Sequence, residues 1–507
     1  MKKLCAMILA CILMLSFVSA LAEYDKHIDI TASYVDRGST EIDDMYHFFC
    51  DPYNIDIEMI GIPWSAFGDT NSVMIMGQTM YDWMMITWDY NTYLSYVQQG
   101  LLKEMPENFE EKYPNIAHAF QASGIADYLY VDGVAYGTPM PIFFNFAPKS
   151  YYLNMMAAYY RVDWAEELGF HWGAGVSLTE FEAYLKACVE HDMAGNGQTL
   201  GLTSSNTIGS FMNIFNDSYS TFVNVDGTYV WGPTLDSTVE GIKEIKKAYS
   251  EGMIDPDFFT LDSFAGQNKF AAGLSAATHQ TGTCANYSLI LDAATAAGME
   301  NAVEKIKPIM LTDDQGVWHG GEVKNFWCIN VFNPDIDDEK YERILDLLDY
   351  LYTKEAEEVV NMGIKGVDWD IEEDGHYVSY LDPAVYANIR QKYASGWFWR
   401  DTSICLDEFD LVNPTYPQAV LDNVNAVYDY RYNSAEEHGY TKLDNNVQFL
   451  ATEAKKNYSV DIGTEITRIV CDDKISMDDV QAEWQKFIDA NKAIWQPVVD
   501  DLNNLAH

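Results

Sequence analysis

Residues 82–87 (DWMMIT) are almost wholly apolar and lack an alternating polar face, which suits a strand buried on both sides of a parallel sheet. The run ends in Trp88, Asp89, Tyr90 and Asn91. A helix is expected next: Asn91 or Thr92 can cap free amides, and Tyr93, Leu94, Tyr96 and Val97 recur at helical spacing. Gly100 closes that helix, with Leu101 set to pack back on it. Upstream, residues 28–35 and 55–60 read as two more strands, with helices starting near Glu41 and around 71–79 between them. Strand, helix, strand, helix is the opening of a parallel α/β sheet with right-handed crossovers. Ligands of open α/β sheets sit beyond the carboxyl ends of the strands, so the ends of these three strands form a candidate binding edge.

Further along, residues 131–137 read as a hairpin turn, and 138–144 as an extended, proline-stiffened piece. Tyr160–Trp164 opens a helix through Leu168, and Ser177-Leu178-Thr179-Glu180 is a capping box for a helix over 179–189. A helix over 238–251 follows, then strands over 275–278 and 326–331, a possible crossing strand at 306–310, and a helix over 338–352. From about Pro383 the pattern is mostly helical. The chain is too long for one ordinary core, so two domains are expected.

Composition adds location and excludes partners. Lys2 and Lys3 precede an apolar run from Leu4 to Val18, and Ala20-Leu21-Ala22 offers small residues before Glu23, the layout of a cleavable secretory signal over 1–22. Ile8-Leu9-Ala10-Cys11 superficially resembles a lipoprotein cleavage site, but the apolar run continues past Cys11, so cleavage after Ala22 and an exported, periplasmic or extracellular protein are expected. Net charge is −46, and −48 without Lys2 and Lys3. Such a field disfavours nucleic acid, anionic membranes and polyanions, leaving a neutral or cationic ligand. Six cysteines remain after residue 22 (Cys50, Cys188, Cys284, Cys328, Cys405 and Cys471); their even number permits disulfides, but no CxxC or Cys/His cluster points to metal or redox chemistry.

Several collinear pieces carry a family resemblance: Tyr96–Leu102, Tyr136-Gly137-Thr138-Pro139, Tyr160–Asp163, Leu178–Glu182, Glu251–Phe259, Lys269–Gly273 and Gly363–Val367. Together the chain resembles the extracellular solute-binding proteins (family 1) of carbohydrate ABC importers, the group that includes maltodextrin-binding proteins. The resemblance implies an α/β, two-lobe periplasmic-binding-protein type II fold with hinge strands and a helical C-terminal segment. It implies lobe 1 over 23–140 plus 310–365, lobe 2 over 141–309 plus 366–507, and crossings near 138–144, 306–310 and 363–370. It also implies a carbohydrate ligand, ABC permease subunits as partners, no enzymatic activity, no cofactor and a monomer.

A sugar ring presents an apolar face and a rim of hydroxyls, so its site needs flat aromatics and planar polar groups. The chain is 14% aromatic with 13 tryptophans. Trp88 has the spacing to Gly100 that resembles the sugar-contacting tryptophan of maltodextrin-binding proteins, with Asp89 and Tyr90 as companions. Asp36 and Arg37 match the polar first loop of the family, and Trp64 ends the second strand. In the second lobe the resemblance points to Asn206 and Gln280, beside a structural His279. Gly282-Thr283-Cys284 lacks the aromatic relatives often carry, which shifts that role to Trp231 or Trp318, while the late segment offers Trp397 and Trp399. Residues 191–197 resemble the calcium loop of some relatives, but Ala194 and Leu200 replace expected ligands, and no bound metal is expected. A secreted glycoside hydrolase or lyase, and a peptide or adhesion receptor of the same fold, remain the alternatives.

Overall fold

Apolar runs become sheet interiors here, and ten strands build the two main sheets: β1 (Ile28–Val35), β2 (Ile55–Ile62), β3 (Trp83–Thr87), β4 (Thr138–Pro139), β5 (Met156–Arg161), β6 (Gly175–Ser177), β7 (Leu200–Thr203), β8 (Ser275–Thr281), β9 (Ile306–Thr312) and β10 (Cys328–Phe332). The computed structural model describes residues 24–36, 41–142, 156–261, 264–321, 324–373, 375–382, 385–386, 388–403, 413–438, 440–443 and 445–505. The expected signal segment, Arg37 and Cys405 lie outside these described residues.

The chain folds as two compact units. The first joins Met1–Ala147 to Lys324–Gln418, and the second joins Pro148–Val323 to Ala419–His507. In the first, the sheet order is β2-β1-β3-β10-β4. Strands β1, β2 and β3 are parallel, whereas β10 runs antiparallel to both of its neighbours. Strand β3 is buried over Trp83–Ile86, as a run apolar on both faces requires. Gly137 turns into β4 at φ 71, and a Cβ there would overlap the carbonyl oxygen of Asn330.

The second unit carries the order β6-β9-β5-β8-β7. Its central β5 is antiparallel to β8 and β9, which pair in parallel with β7 and β6 respectively. Ser177 caps the helix Leu178–Glu190 by accepting from the Glu180 amide, so the capping box acts where the sequence places it. Late helices Ile462–Cys471, Val480–Ala490 and Lys492–Leu505 add Ile466, Ile469, Trp484, Trp495, Val498 and Leu502 to this unit's core.

Two expectations about boundaries are corrected. Residues 306–310 are not a crossing but most of β9, an interior strand. The described residues of 366–418, a stretch expected in the second lobe, fold with the first unit. Its helix Gly396–Thr402 sets Phe398 edge-on against Tyr34 and Trp83, and Trp399 against Tyr46 and Phe49. The carboxylate of Asp43 accepts from the Ser395 amide at 2.9 Å and from its hydroxyl at 2.7 Å. Residues 363–370 are likewise internal to this unit: buried Asp368 accepts from the Ile364 amide at 2.7 Å and the Tyr393 hydroxyl at 2.9 Å, and it pairs with Lys392.

Candidate functional site

In the first unit, β1, β2 and β3 deliver their carboxyl ends to one edge, and antiparallel β10 starts there, with Cys328 opposite Thr87. Four chain segments therefore meet. After β1, the Asp36 amide donates to the Ile62 carbonyl at 2.9 Å, leaving an exposed side chain. After β2, Pro63 turns the chain into the helix Trp64–Met76, so Trp64 opens a helix at this edge and stays 44% exposed. Its ring stacks on Trp327, with centroids 5.6 Å apart and planes 25° apart, and on Phe67 at 5.6 Å and 24°.

After β3, Asp89 is the cap of the helix Tyr90–Gln98, accepting from the Thr92 amide at 2.8 Å. Of the capping residues that the sequence offers here, Asn91, Thr92 and Asp89, it is Asp89 that caps, because its extended backbone aims the carboxylate at the free amides. One carboxylate oxygen remains available to solvent-side donors. Trp88 stacks on Tyr90 at 5.8 Å and 21° and lies 5.1 Å from Tyr93, with Phe326 edge-on at 5.9 Å. Tyr128 also meets Tyr90 edge-on, at 5.6 Å. Below, buried Tyr93 is fixed by donating to the carbonyls of Leu129 at 2.7 Å and Tyr136 at 3.1 Å. Burial raises the Tyr90 phenol above its ordinary range, so it stays a neutral donor and acceptor.

The edge thus holds two aromatic stacks, Trp88–Tyr90 and Trp64–Trp327, beside the carboxylates of Asp36 and Asp89. Trp88, Asp89, Tyr90, Trp64 and Asp36 come together at one sheet edge. Phe326 and Trp327 escaped the sequence reading, which placed them inside a strand over 326–331; they precede β10 instead. The usable signal was an aromatic pair entering a strand antiparallel to β3.

In the second unit the predicted residues are more dispersed. Exposed Asn206 follows β7 and caps the helix Thr207–Phe215 by accepting from the Gly209 amide at 3.3 Å. Gln280 sits within β8 rather than after it, and its side-chain oxygen accepts from the Thr281 amide at 3.1 Å.

Four tryptophans offered as sugar platforms are structural. Trp231 is fully buried, donating to the Tyr458 hydroxyl at 2.8 Å and stacking on Trp495 at 5.3 Å and 15°. Trp318 is buried and donates to the Arg431 carbonyl at 3.2 Å. Trp399 is enclosed by the first unit's core, and buried Trp397 lies 5.4 Å from the guanidinium groups of both Arg390 and Arg400. Their flat faces are taken up by internal packing.

The 191–197 loop is tied internally. The Asp192 carboxylate accepts from the Thr199 hydroxyl and the Gly197 amide, each at 2.8 Å; these bonds, the Thr199 contact first, hold its carboxyl below the usual range.

His279, next to Gln280, is buried in β8. Loss of hydration, with a smaller contribution from the Arg431 charge, pushes its imidazole down to about 3. Because the folded value lies below the unfolded one of about 6.5, the unfolded chain binds the extra proton between those limits. Stability is therefore complete above pH 6.5 and falls as pH drops toward 3, by about 1.4 kcal/mol per unit. Urea unfolding at pH 7 and pH 5 should show a larger loss for the native chain than for His279→Gln. Equal losses would mean that His279 protonates freely in the fold.

No family model matches the chain. The lipoprotein LipO of Bacillus subtilis (strain 168) is 25% identical over 236 residues, which is 43% of this chain and 45% of that protein's length. Among solved structures, the fold is similar to that of the alginate-binding protein AlgQ2 without calcium ion, with a TM-score of 0.68 and 16% identity over 96% of this chain and 99% of that one. It is also similar to the S. pneumoniae ABC-transporter substrate binding protein FusA in complex with kestose, with a TM-score of 0.64 and 16% identity over 94% of this chain and all of that one. The chain has the two-lobe α/β fold of these solute-binding proteins. Among the described residues, no helix is long and apolar enough to cross a membrane.

Proposed function

We propose that this protein is an exported, non-catalytic receptor that captures a neutral oligosaccharide and hands it to an ABC importer. One observation carries the reading: two part-exposed aromatic stacks flanked by carboxylates at the carboxyl edge of the first unit's sheet. Trp88, Tyr90, Trp64 and Trp327 supply flat faces for the C–H surfaces of sugar rings. Asp36 and Asp89 accept from ring hydroxyls, as ionised carboxylates do. Those same carboxylates, within a chain of net charge −46, disfavour anionic sugars. The likeness of fold to a protein bound to kestose, and to an alginate-binding protein, supports a carbohydrate ligand.

The test is a tryptophan-fluorescence and calorimetric titration of the chain against neutral oligosaccharides, uronate oligosaccharides and peptides, followed by chromatography of the recovered ligand. Binding of a neutral oligosaccharide that is returned intact is expected. A ligand returned cleaved would make the protein a glycoside hydrolase or lyase, and binding of peptides alone would make it a peptide receptor.

A further inference from the structure

At the opposite edge of the same sheet, β1 and β2 begin in register, pairing Ile28 with Ile55 and Asp29 with Asp56. Two carboxylates thus stand directly opposite each other on neighbouring strands, about 4.8 Å apart along the ladder, an arrangement that repels. Among the described residues neither carboxylate is paired with a lysine or arginine; both face His27 instead. Its Nε2 lies 3.5 Å from an Asp29 oxygen and 3.3 Å from an Asp56 oxygen. The three donor atoms fall within 4.8 Å of one another.

The other side of the ring is fixed. Asn54 donates its side-chain amide to the Tyr24 carbonyl at 2.9 Å, which turns its oxygen toward His27 Nδ1 at 3.1 Å. That oxygen can only accept, so in a neutral ring the proton sits on Nδ1 and the lone pair of Nε2 points at the two carboxylates. An acceptor held against the far ring nitrogen is the usual way a protein orients a metal-binding imidazole. The spacing agrees: two ligand atoms each about 2.1 Å from a tetrahedral zinc ion stand about 3.4 Å apart.

We propose that His27, Asp29 and Asp56 form a binding site for a divalent transition-metal ion of the zinc type, clipping the first two strands together, with water completing the coordination. The nitrogen donor favours zinc over calcium, which takes oxygen ligands. All three side chains are exposed, so the site is reachable, and it is separate from the aromatic edge.

Calorimetry with zinc chloride on the chelator-treated, tag-free exported chain tests this. One zinc ion is expected to bind, raising the melting temperature of the first unit by mass action. His27→Gln and Asp56→Asn should weaken binding by at least about a hundredfold and Asn54→Ala by about tenfold, while calcium chloride should not compete. Melting in chelator shows whether each variant still folds like the native chain. Absence of zinc binding to the native chain overturns the proposal. So does a His27→Gln/Asp56→Asn double variant that folds and binds zinc with unchanged affinity.

Discussion

Replacing Trp88 with alanine is expected to weaken oligosaccharide binding by about thirtyfold or more, the loss of roughly 2 kcal/mol that marks a central aromatic contact. Trp88 is a half-buried member of a stack whose base, Tyr93, is held by two backbone carbonyls. Its orientation is therefore set before any ligand arrives, and little ordering entropy opposes stacking. The substitution leaves the Asp89 cap and the buried part of β3 in place, so the melting temperature should fall much less than affinity does. Trp88→Phe, which keeps a smaller flat face, should lie between the two. Calorimetric titration of all three proteins decides the matter, and an unchanged affinity for Trp88→Ala would remove Trp88 from the site.

The first-unit edge was legible because its signals are local. Residues 28–35 alternate apolar and polar from Ile28 to Tyr34 and end in a polar loop, and the strand Ile28–Val35 covers that span. The run at 82–87 has no polar face, and β3 is buried on both sides. Each strand end could therefore be placed from its own neighbours in sequence. The tryptophans misread as platforms lacked such a signal. Whether an indole lies in a core depends on partners far along the chain: Trp231 donates to Tyr458, and Trp318 to Arg431. No window of sequence around either tryptophan contains that information. The same holds for β5, whose place at the centre of a sheet comes from pairing with β8 and β9, more than a hundred residues downstream. The assignment of 366–418 failed for a related reason, since its anchors, Asp43 and Asn330, lie in other parts of the chain.

Asn330 is where the largest loss of stability is expected. It is fully buried in β10, and its side chain fills every polar role it has. The oxygen accepts from the Trp83 indole at 2.9 Å, and the amide donates to the Thr402 carbonyl at 3.0 Å and the Tyr352 hydroxyl at 3.1 Å, with Thr138 at 3.3 Å. One amide thereby joins β3, β4, the residue that caps the helix Asp338–Leu351 at its C-terminus, and the late helix Gly396–Thr402. Asn330→Leu keeps the branching and the number of side-chain heavy atoms but strands the buried Trp83 N–H and the Thr402 carbonyl, each costing about 1–3 kcal/mol when left without a partner. The first unit should lose about 3–5 kcal/mol, read as an earlier urea transition, followed separately from the second unit because two units need not unfold together. Pairing the change with Trp83→Phe provides the decisive control. Removing the indole N–H takes away one of the stranded groups, so the double variant should be more stable than the sum of the single losses predicts by about 1–2 kcal/mol. Strict additivity would show that the bond between Trp83 and Asn330 does not hold these strands together.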